Sequence, residues 1–376
     1  MARISSAPAT TRPEPATPDS GAALFSADYT TARARFRAAA RQQNAAVETL
    51  AIAARGPGNE ELSIDIAWLG ARDARRILLH VSGVHGVEAY AGSAAQLALL
   101  NTPPAIPPDG ALVLVHALNP YGMAWLRRSN EHNVDLNRNF LPDTATWAGE
   151  PPLYRRLDGL LNPPSPPARD GFGLRLAMRG LRHGFHAMRQ AIAHGQHRYP
   201  RGLFYGGAEL QPGPRQFCDW LQRRLASADC VFAIDLHTGL GTHAGSTLIV
   251  EPGITAATAA ELEAAVAQAL IGGAAIPAAY RVRGSLGAAL PRLLPGVDLK
   301  FVVQEIGTWS SLHVLQALRD ENRWHHYGEA HLDHPAKRQI REALCPASPA
   351  WRSAAVAHGS DLVYRAADWL FRKKCT

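Results

Sequence analysis

The stretch RILLHVSGVHGVEAYAGSAAQLALL (residues 76–100) decides how this chain is read. Residues 76–83 are apolar and partly β-branched, the pattern of a buried strand that stops at a glycine. From Ala89 onward the stretch is rich in Ala and Leu and predicts a helix. Between them, on the strand-to-helix connection, stand His85 and Glu88. Imidazole nitrogen and carboxylate oxygen both suit Zn²⁺, and a three-residue spacing lets both reach one ion from a turn.

Two further apolar runs end in the same way. CysValPheAlaIleAspLeu (230–236) leads into His237 and the loop signal Thr-Gly-Leu-Gly, and LysPheValValGln (300–304) leads into Glu305 and Ile-Gly-Thr. Both predict strands. Open α/β sheets build their sites beyond the carboxyl ends of strands, so His85, Glu88, His237 and Glu305 fall at one kind of place. The chain has 16 His, so a His-x-x-Glu pair alone is weak evidence. Any single one of these His residues could be a solvated or a core residue. Four motifs in order make the pattern specific: SGVHGVEAYAG (82–92), RRSNEHNVDLNRNF (127–140), AIDLHTGLG (233–241) and VVQEIGTW (302–309).

With these motifs the chain resembles the zinc metallocarboxypeptidase superfamily, the carboxypeptidase A-like enzymes, over roughly residues 50–330. Within it the chain is most similar to a bacterial branch described only as a domain of unknown function. GlyGlnHisArgTyrProArgGlyLeuPheTyrGlyGly (195–207) carries that likeness. Aspartoacylase and succinylglutamate desuccinylase share the core. The resemblance implies an α/β fold, a mixed central sheet with helices on both faces. It implies one Zn²⁺ per chain, held by His85, Glu88 and His237, with Glu305 as the catalytic carboxylate. Asn137 and Arg138 match the pair that holds the substrate's terminal carboxylate. Arg128 stands where the family polarises the scissile carbonyl, with Arg127 as the neighbouring alternative. Tyr280 fits, by a loose spacing, a mobile catalytic tyrosine; an ordinary half-buried aromatic is the other reading.

The chemistry makes sense on its own terms. Zinc acidifies bound water and polarises a carbonyl. A carboxylate at 305 can serve as general base and then general acid. A guanidinium at 128 can stabilise an oxyanion, and one at 138 can grip a carboxylate bidentately, which a lysine does less well. Asp235, two residues before His237, points to the same side of a strand and could orient a ligand or be a buried structural acid. His116, at another strand end, reads as a site neighbour or a core residue. His132, His183, His186, His194 and His197 read as solvated.

Composition fits an ordinary enzyme. The chain has 376 residues, 47% of them hydrophobic, and a net charge of +7. No basic block with interleaved aromatics is present, so no nucleic-acid partner is expected, and no stretch is long and apolar enough to span a membrane. Four cysteines without CxxC spacing suggest reduced thiols. The start lacks an apolar signal core and predicts a disordered lead over 1–22 and a cytoplasmic protein. Residues 23–376 are expected to form one catalytic domain with an insertion at about 150–214. Within it Leu174, Ala177, Leu181, Phe185, Met188 and Ile192 recur at helical spacing and predict one amphipathic helix packed onto the sheet rather than onto a membrane. Residues 195–214 predict a loop able to rim the site, and the tail from 310 predicts helix. The expected partner is a peptide or an N-acyl amino acid with a free carboxylate, and no membrane. The functions in competition are a carboxypeptidase, an N-acyl amino acid deacylase of the aspartoacylase type, and a non-catalytic peptide-binding descendant.

Overall fold

A computed structural model of the chain describes residues 21–272 and 281–372. Its eight strands are β1 (Ala46–Arg55), β2 (Glu61–Gly70), β3 (Arg76–Ser82), β4 (Gly110–His116), β5 (Cys230–Gly239), β6 (Ser246–Val250), β7 (Leu270–Gly272) and β8 (Asp298–Gly307). They form one sheet in the order β1-β2-β4-β3-β5-β8-β6-β7. The central four, β4-β3-β5-β8, are mutually parallel. β2 joins β4, and β6 joins β8, antiparallel, so the sheet is mixed.

Alternation along the strands divides the core. Ile77, Leu79 and Val81 of β3 and Val231 and Ala233 of β5 face α7 (Pro212–Leu225) and α9 (Leu286–Leu293), meeting Phe217, Trp220 and Leu290. Leu78, Phe232 and Ile234 face the other way, onto α1 (Tyr29–Gln42), α2 (Ala89–Asn101), α8 (Ala256–Val266) and α12 (Pro349–Arg372). A central parallel sheet needs this cover on both faces, which is why its strands read as near-continuous apolar runs.

After β3 the chain crosses to β4 on one side, and after β4 it returns to β5 on the other. The crevice between β3 and β5 is therefore the point where the strand order reverses, the usual ligand position in such sheets. The short helix α3 (Pro120–Ala124) follows β4, and α10 (Ser311–Tyr327) and α11 (Pro335–Leu344) follow β8. Residues 310–372 are largely helical, as the sequence predicts.

Residues 150–194 form α4 (Pro152–Leu161), α5 (Phe172–His183) and α6 (Phe185–His194). They share a small core of their own, with Tyr154, Leu157, Leu161, Phe172, Leu176, Met188 and Ile192. This corrects the expectation of one amphipathic helix packed on the sheet. Gly184, at φ +83, ends α5 and separates it from α6. The inward face of α5 is Phe172, Leu176 and Gly180, spaced by four, while Leu174 and Leu181 point to solvent. Cys218, Cys230 and Cys345 are buried thiols. Among the described residues no helix is long and apolar enough to cross a membrane.

Candidate functional site

β3 delivers His85 through a glycine at φ +75, Gly83, and a single 3₁₀ turn, Gly86–Glu88, places Glu88 at the start of α2. Gly86 has no room for a side chain, since a Cβ there would meet the Gly122 backbone at 2.0 Å. β5 and β8 carry His237 and Glu305 as direct register partners. The sheet thus brings together residues that the sequence spreads over more than two hundred positions.

The donor atoms converge. His85 Nδ1 lies 3.0 Å from His237 Nδ1 and 3.1 Å from Glu88 Oε1, and His237 Nδ1 lies 3.4 Å from Glu88 Oε2. The three residues form a buried set able to hold a metal ion, the one such group found among the described residues. The outer nitrogens explain why. His85 Nε2 faces Asp135 Oδ1 at 3.1 Å, and His237 Nε2 faces Asp235 Oδ2 at 2.8 Å. Each carboxylate accepts from an Nε2–H, which leaves the Nδ1 lone pairs facing one another. Two lone pairs and a carboxylate oxygen in van der Waals contact repel unless a cation sits among them. The separations match what tetrahedral ligation at about 2.0–2.1 Å requires. The residues present fit zinc.

Electrostatics agree. Burial opposes charge on His237, but Asp235 and Glu88 outweigh it and raise its pKa well above the usual imidazole value. Burial likewise works against ionised Glu88, yet His85 and His237 hold it well below the ordinary carboxylate range. The Thr238 N–H donates to Glu88 Oε2 at 2.9 Å and Arg128 Nη1 donates to Oε1 at 3.2 Å. A site that holds a proton so firmly is one in which a metal cation would replace it.

Arg128 and Arg138 stand beside this group. Arg128 Nε donates to Asp135 Oδ2 at 3.0 Å, and Asp135 stays ionised despite burial because Arg128, Arg138 and His85 surround it. Arg138 is 95% shielded in its side chain, and its Nη1 donates to Asn137 O at 3.1 Å. Its Nε has no partner. Burial lowers its pKa to about 10, still charged at neutral pH. Asn137 is held by accepting from Leu286 N through Oδ1 at 3.1 Å. This segment is a 3₁₀ turn, Leu136–Arg138, capped by Asp135. Gly195, at φ +86, lies against the Arg138 stem, where a Cβ would come within 2.6 Å of Cδ.

A cavity of about 470 Å³ opens here. His85, Arg128, Asn137, Arg138, His237 and Glu305 line it, with apolar walls that include Ile192, Phe204, Ile249, Val303, Val314 and Leu315. Burial pushes the Glu305 carboxyl up to about 7, and neighbouring Glu88 adds to that against the pull of His237. The Leu240 N–H approaches its Oε2 at 3.4 Å.

The remaining sequence candidates separate. Arg127 turns away from the cavity, and its Nε donates to Glu321 at 2.9 Å and its Nη2 to Asn133 at 2.8 Å. Lys337 Nζ completes that buried cluster at 2.7 Å from Glu321. Tyr280 lies outside the described residues. Asp235 orients His237, as above. His116 is a core residue, stacked on Phe36 and 3.0 Å from Ser93 Oγ. His197 corrects the expectation of a solvated side chain, because it is buried and its Nδ1 lies 2.8 Å from Gly207 O. His132 is exposed, as expected, with Nδ1 2.6 Å from Gln211 Oε1.

Sequence reasoning missed two cavity residues, Phe204 and Glu251, and Asp135 buried behind them. Asp135 links His85 to both arginines; its place inside NVDLNRN was the only signal. Phe204 lies under both guanidinium groups, 5.4 Å from Arg128 Cζ and 5.7 Å from Arg138 Cζ. It holds φ +55, a costly value for a bulky residue, of the kind that collects at functional sites. Glu251 faces the same cavity and accepts from Ser285 Oγ at 2.7 Å.

The architecture is that of carboxypeptidase-like structures. Thrombin activatable fibrinolysis inhibitor superposes with a TM-score of 0.50 at 10% identity, over 90% of this chain and 74% of that one. The bovine form, in complex with tick carboxypeptidase inhibitor, gives 0.48 at 11% identity, over 92% and 98%. Murein-tripeptide amidase from Escherichia coli O157 gives 0.37 at 19% identity, over 74% and 92%. Residues 25–358 match the family described as "Protein of unknown function (DUF2817)", and the chain belongs to it. No curated protein matches the sequence.

Proposed function

We propose that this protein is a zinc-dependent hydrolase that cleaves an amide bond next to a free carboxylate. One observation carries the reading. The His85, Glu88 and His237 donors converge, and His85 and His237 line the same cavity as Arg138, a buried guanidinium with an unpartnered Nε. Zinc bound there would supply an acidified water and polarisation of the scissile carbonyl.

The chain's own residues divide the remaining work. Arg138 and Asn137 bind the substrate carboxylate and so fix which amide reaches the centre. Arg128 turns its guanidinium toward the developing oxyanion. Glu305, buried and poised near neutrality, takes the proton from the attacking water and passes it to the leaving nitrogen. Asp135 and Asp235 hold the two imidazoles with Nδ1 inward. Phe204 keeps the two arginines side by side in a partly apolar wall.

Residues 150–214 are the segment we assign to substrate size. Arg189, Ile192, Ala193 and Phe204 from it wall the cavity. This bounded side favours short substrates and supports N-acyl amino acids as a second substrate class beside peptides. The experiment is a screen of free-carboxylate peptides and N-acyl amino acids, each paired with its amidated counterpart, on zinc-loaded protein. Release of the terminal amino acid from free forms is expected. Equal turnover of the amidated forms, or none of any substrate, overturns the reading.

A further inference from the structure

The α5–α6 hairpin carries more apolar surface than the fold uses. Phe172, Leu176 and Gly180 of α5 pack inward. Leu174, Met178 and Leu181, spaced by four and three, emerge on the opposite side, 70%, 52% and 80% exposed. Phe185, just past the Gly184 break, is 47% exposed. Single exposed apolar residues are ordinary, but a contiguous stripe on one helix marks a contact surface.

The charge beside the stripe has one sign. At 100° per residue, Arg175, Arg179 and Arg182 follow along one flank of the Leu174–Met178–Leu181 stripe. Arg189 adds a fourth cation on α6, and residues 171–194 contain no Asp or Glu. A second copy of this chain would bring two arginine flanks together, which like-charge repulsion opposes. An anionic sheet of headgroups over an apolar interior complements both features at once.

We propose that this face docks on the surface of a bilayer containing anionic phospholipid. Leu174, Met178, Leu181 and Phe185 enter the boundary between headgroups and acyl chains, and the arginine stems lie along it with their guanidinium groups at the phosphates. The twelve residues of α5 span about 18 Å, so the contact is interfacial and not a crossing. Phe185, Arg189 and Ile192 recur on one face of α6, and Arg189 and Ile192 wall the active-site cavity. Docking therefore sets that wall of the cavity toward the membrane. The expected pattern Leu174, Ala177, Leu181, Phe185, Met188 and Ile192 divides in the structure, with Met188 and Ile192 buried and Leu174, Leu181 and Phe185 exposed.

The test is co-sedimentation of the full chain with vesicles of phosphatidylglycerol mixed into phosphatidylcholine, against phosphatidylcholine alone. Binding is expected to the mixed vesicles only, and to weaken with salt. Leu174→Ser with Leu181→Ser should lower the partition coefficient about tenfold or more. Arg175→Gln, Arg179→Gln and Arg182→Gln together should lower it about a hundredfold at low salt. All five side chains are exposed or flank the stripe, so thermal melting should stay at the parent value and report folding directly. Absence of binding to the mixed vesicles, or equal binding by both folded variants, overturns the proposal. So does a concentration-dependent dimer that the leucine variant abolishes while vesicles bind neither protein.

Discussion

Replacing Arg138 with alanine probes substrate recognition where the structure is most explicit. The guanidinium is buried, makes one good hydrogen bond to Asn137 O, and stands 3.8 Å from Asp135. Asp135 keeps Arg128 at 3.0 Å and His85 at 3.1 Å when Arg138 is lost, so the metal side of the site should survive. What disappears is the partner for a desolvated substrate carboxylate. Truncating one member of such a pair costs about 2–5 kcal/mol, which at about 1.4 kcal/mol per tenfold is a loss of roughly 30- to 4000-fold in kcat/KM. Arg138→Lys keeps the charge but not the planar fork and should fall between. The assay is a double comparison, parent and Arg138→Ala, each on a free-carboxylate substrate and its amide. Amidation should damage the parent far more than the variant. If both proteins prefer the free form by the same ratio, Arg138 does not read the carboxylate and the assigned substrate class is wrong even with the metal site right.

Three other outcomes are expected. Purified protein reconstituted with zinc should hold one ion per chain by metal analysis, and His85→Ala with His237→Ala should abolish it; affinity should rise with pH, because zinc displaces the proton that His237 holds above its usual pKa. In the metal-free protein, that same elevated pKa contributes stability that is full below about 6.5 and fades as pH rises through the folded value. Glu305→Gln should keep metal and lose about 10²–10⁴ in kcat; because burial lifts Glu305 from 4.5 to about 7, the carboxylate penalises the metal-free fold increasingly between those values, and the variant should melt higher than the parent at pH 8. Arg127→Met should lower unfolding free energy by about 1–3 kcal/mol in denaturant titration, since Lys337 still pairs with Glu321 but the buried Asn133 and Asn322 carbonyls lose their donor; a variant of parental stability but without turnover would instead return Arg127 to the active site.

Much was legible from the sequence alone because it is written in local patterns. β3 and β5 are buried on both faces and β8 on one face and partly on the other, so each appears as a short apolar run with a turn signal behind it. A site at strand ends then places His85, Glu88, His237 and Glu305 at the boundaries of such runs, where a reader of the chain can find them. The His-x-x-Glu spacing and the Asn-Arg pair are likewise local, because each rests on a single turn.

What only the tertiary structure decided lies where partners are distant along the chain. Arg127 and Arg128 are adjacent in sequence, yet one turns to Glu321 on α10 and the other to Glu88 and Asp135, and no local pattern separates them. Phe204 enters the site from a Gly-rich segment whose path is set by its hydrogen bonds to the 133–139 turn, and its positive φ is tolerated only because that packing holds it. Helical periodicity found the apolar residues of α5 but not which of two stripes faces inward. That choice belongs to the helices packed against it: Phe172 and Leu176 meet Tyr154, Leu157 and Ile192 in one small core, and Leu174 and Leu181 are left outside it.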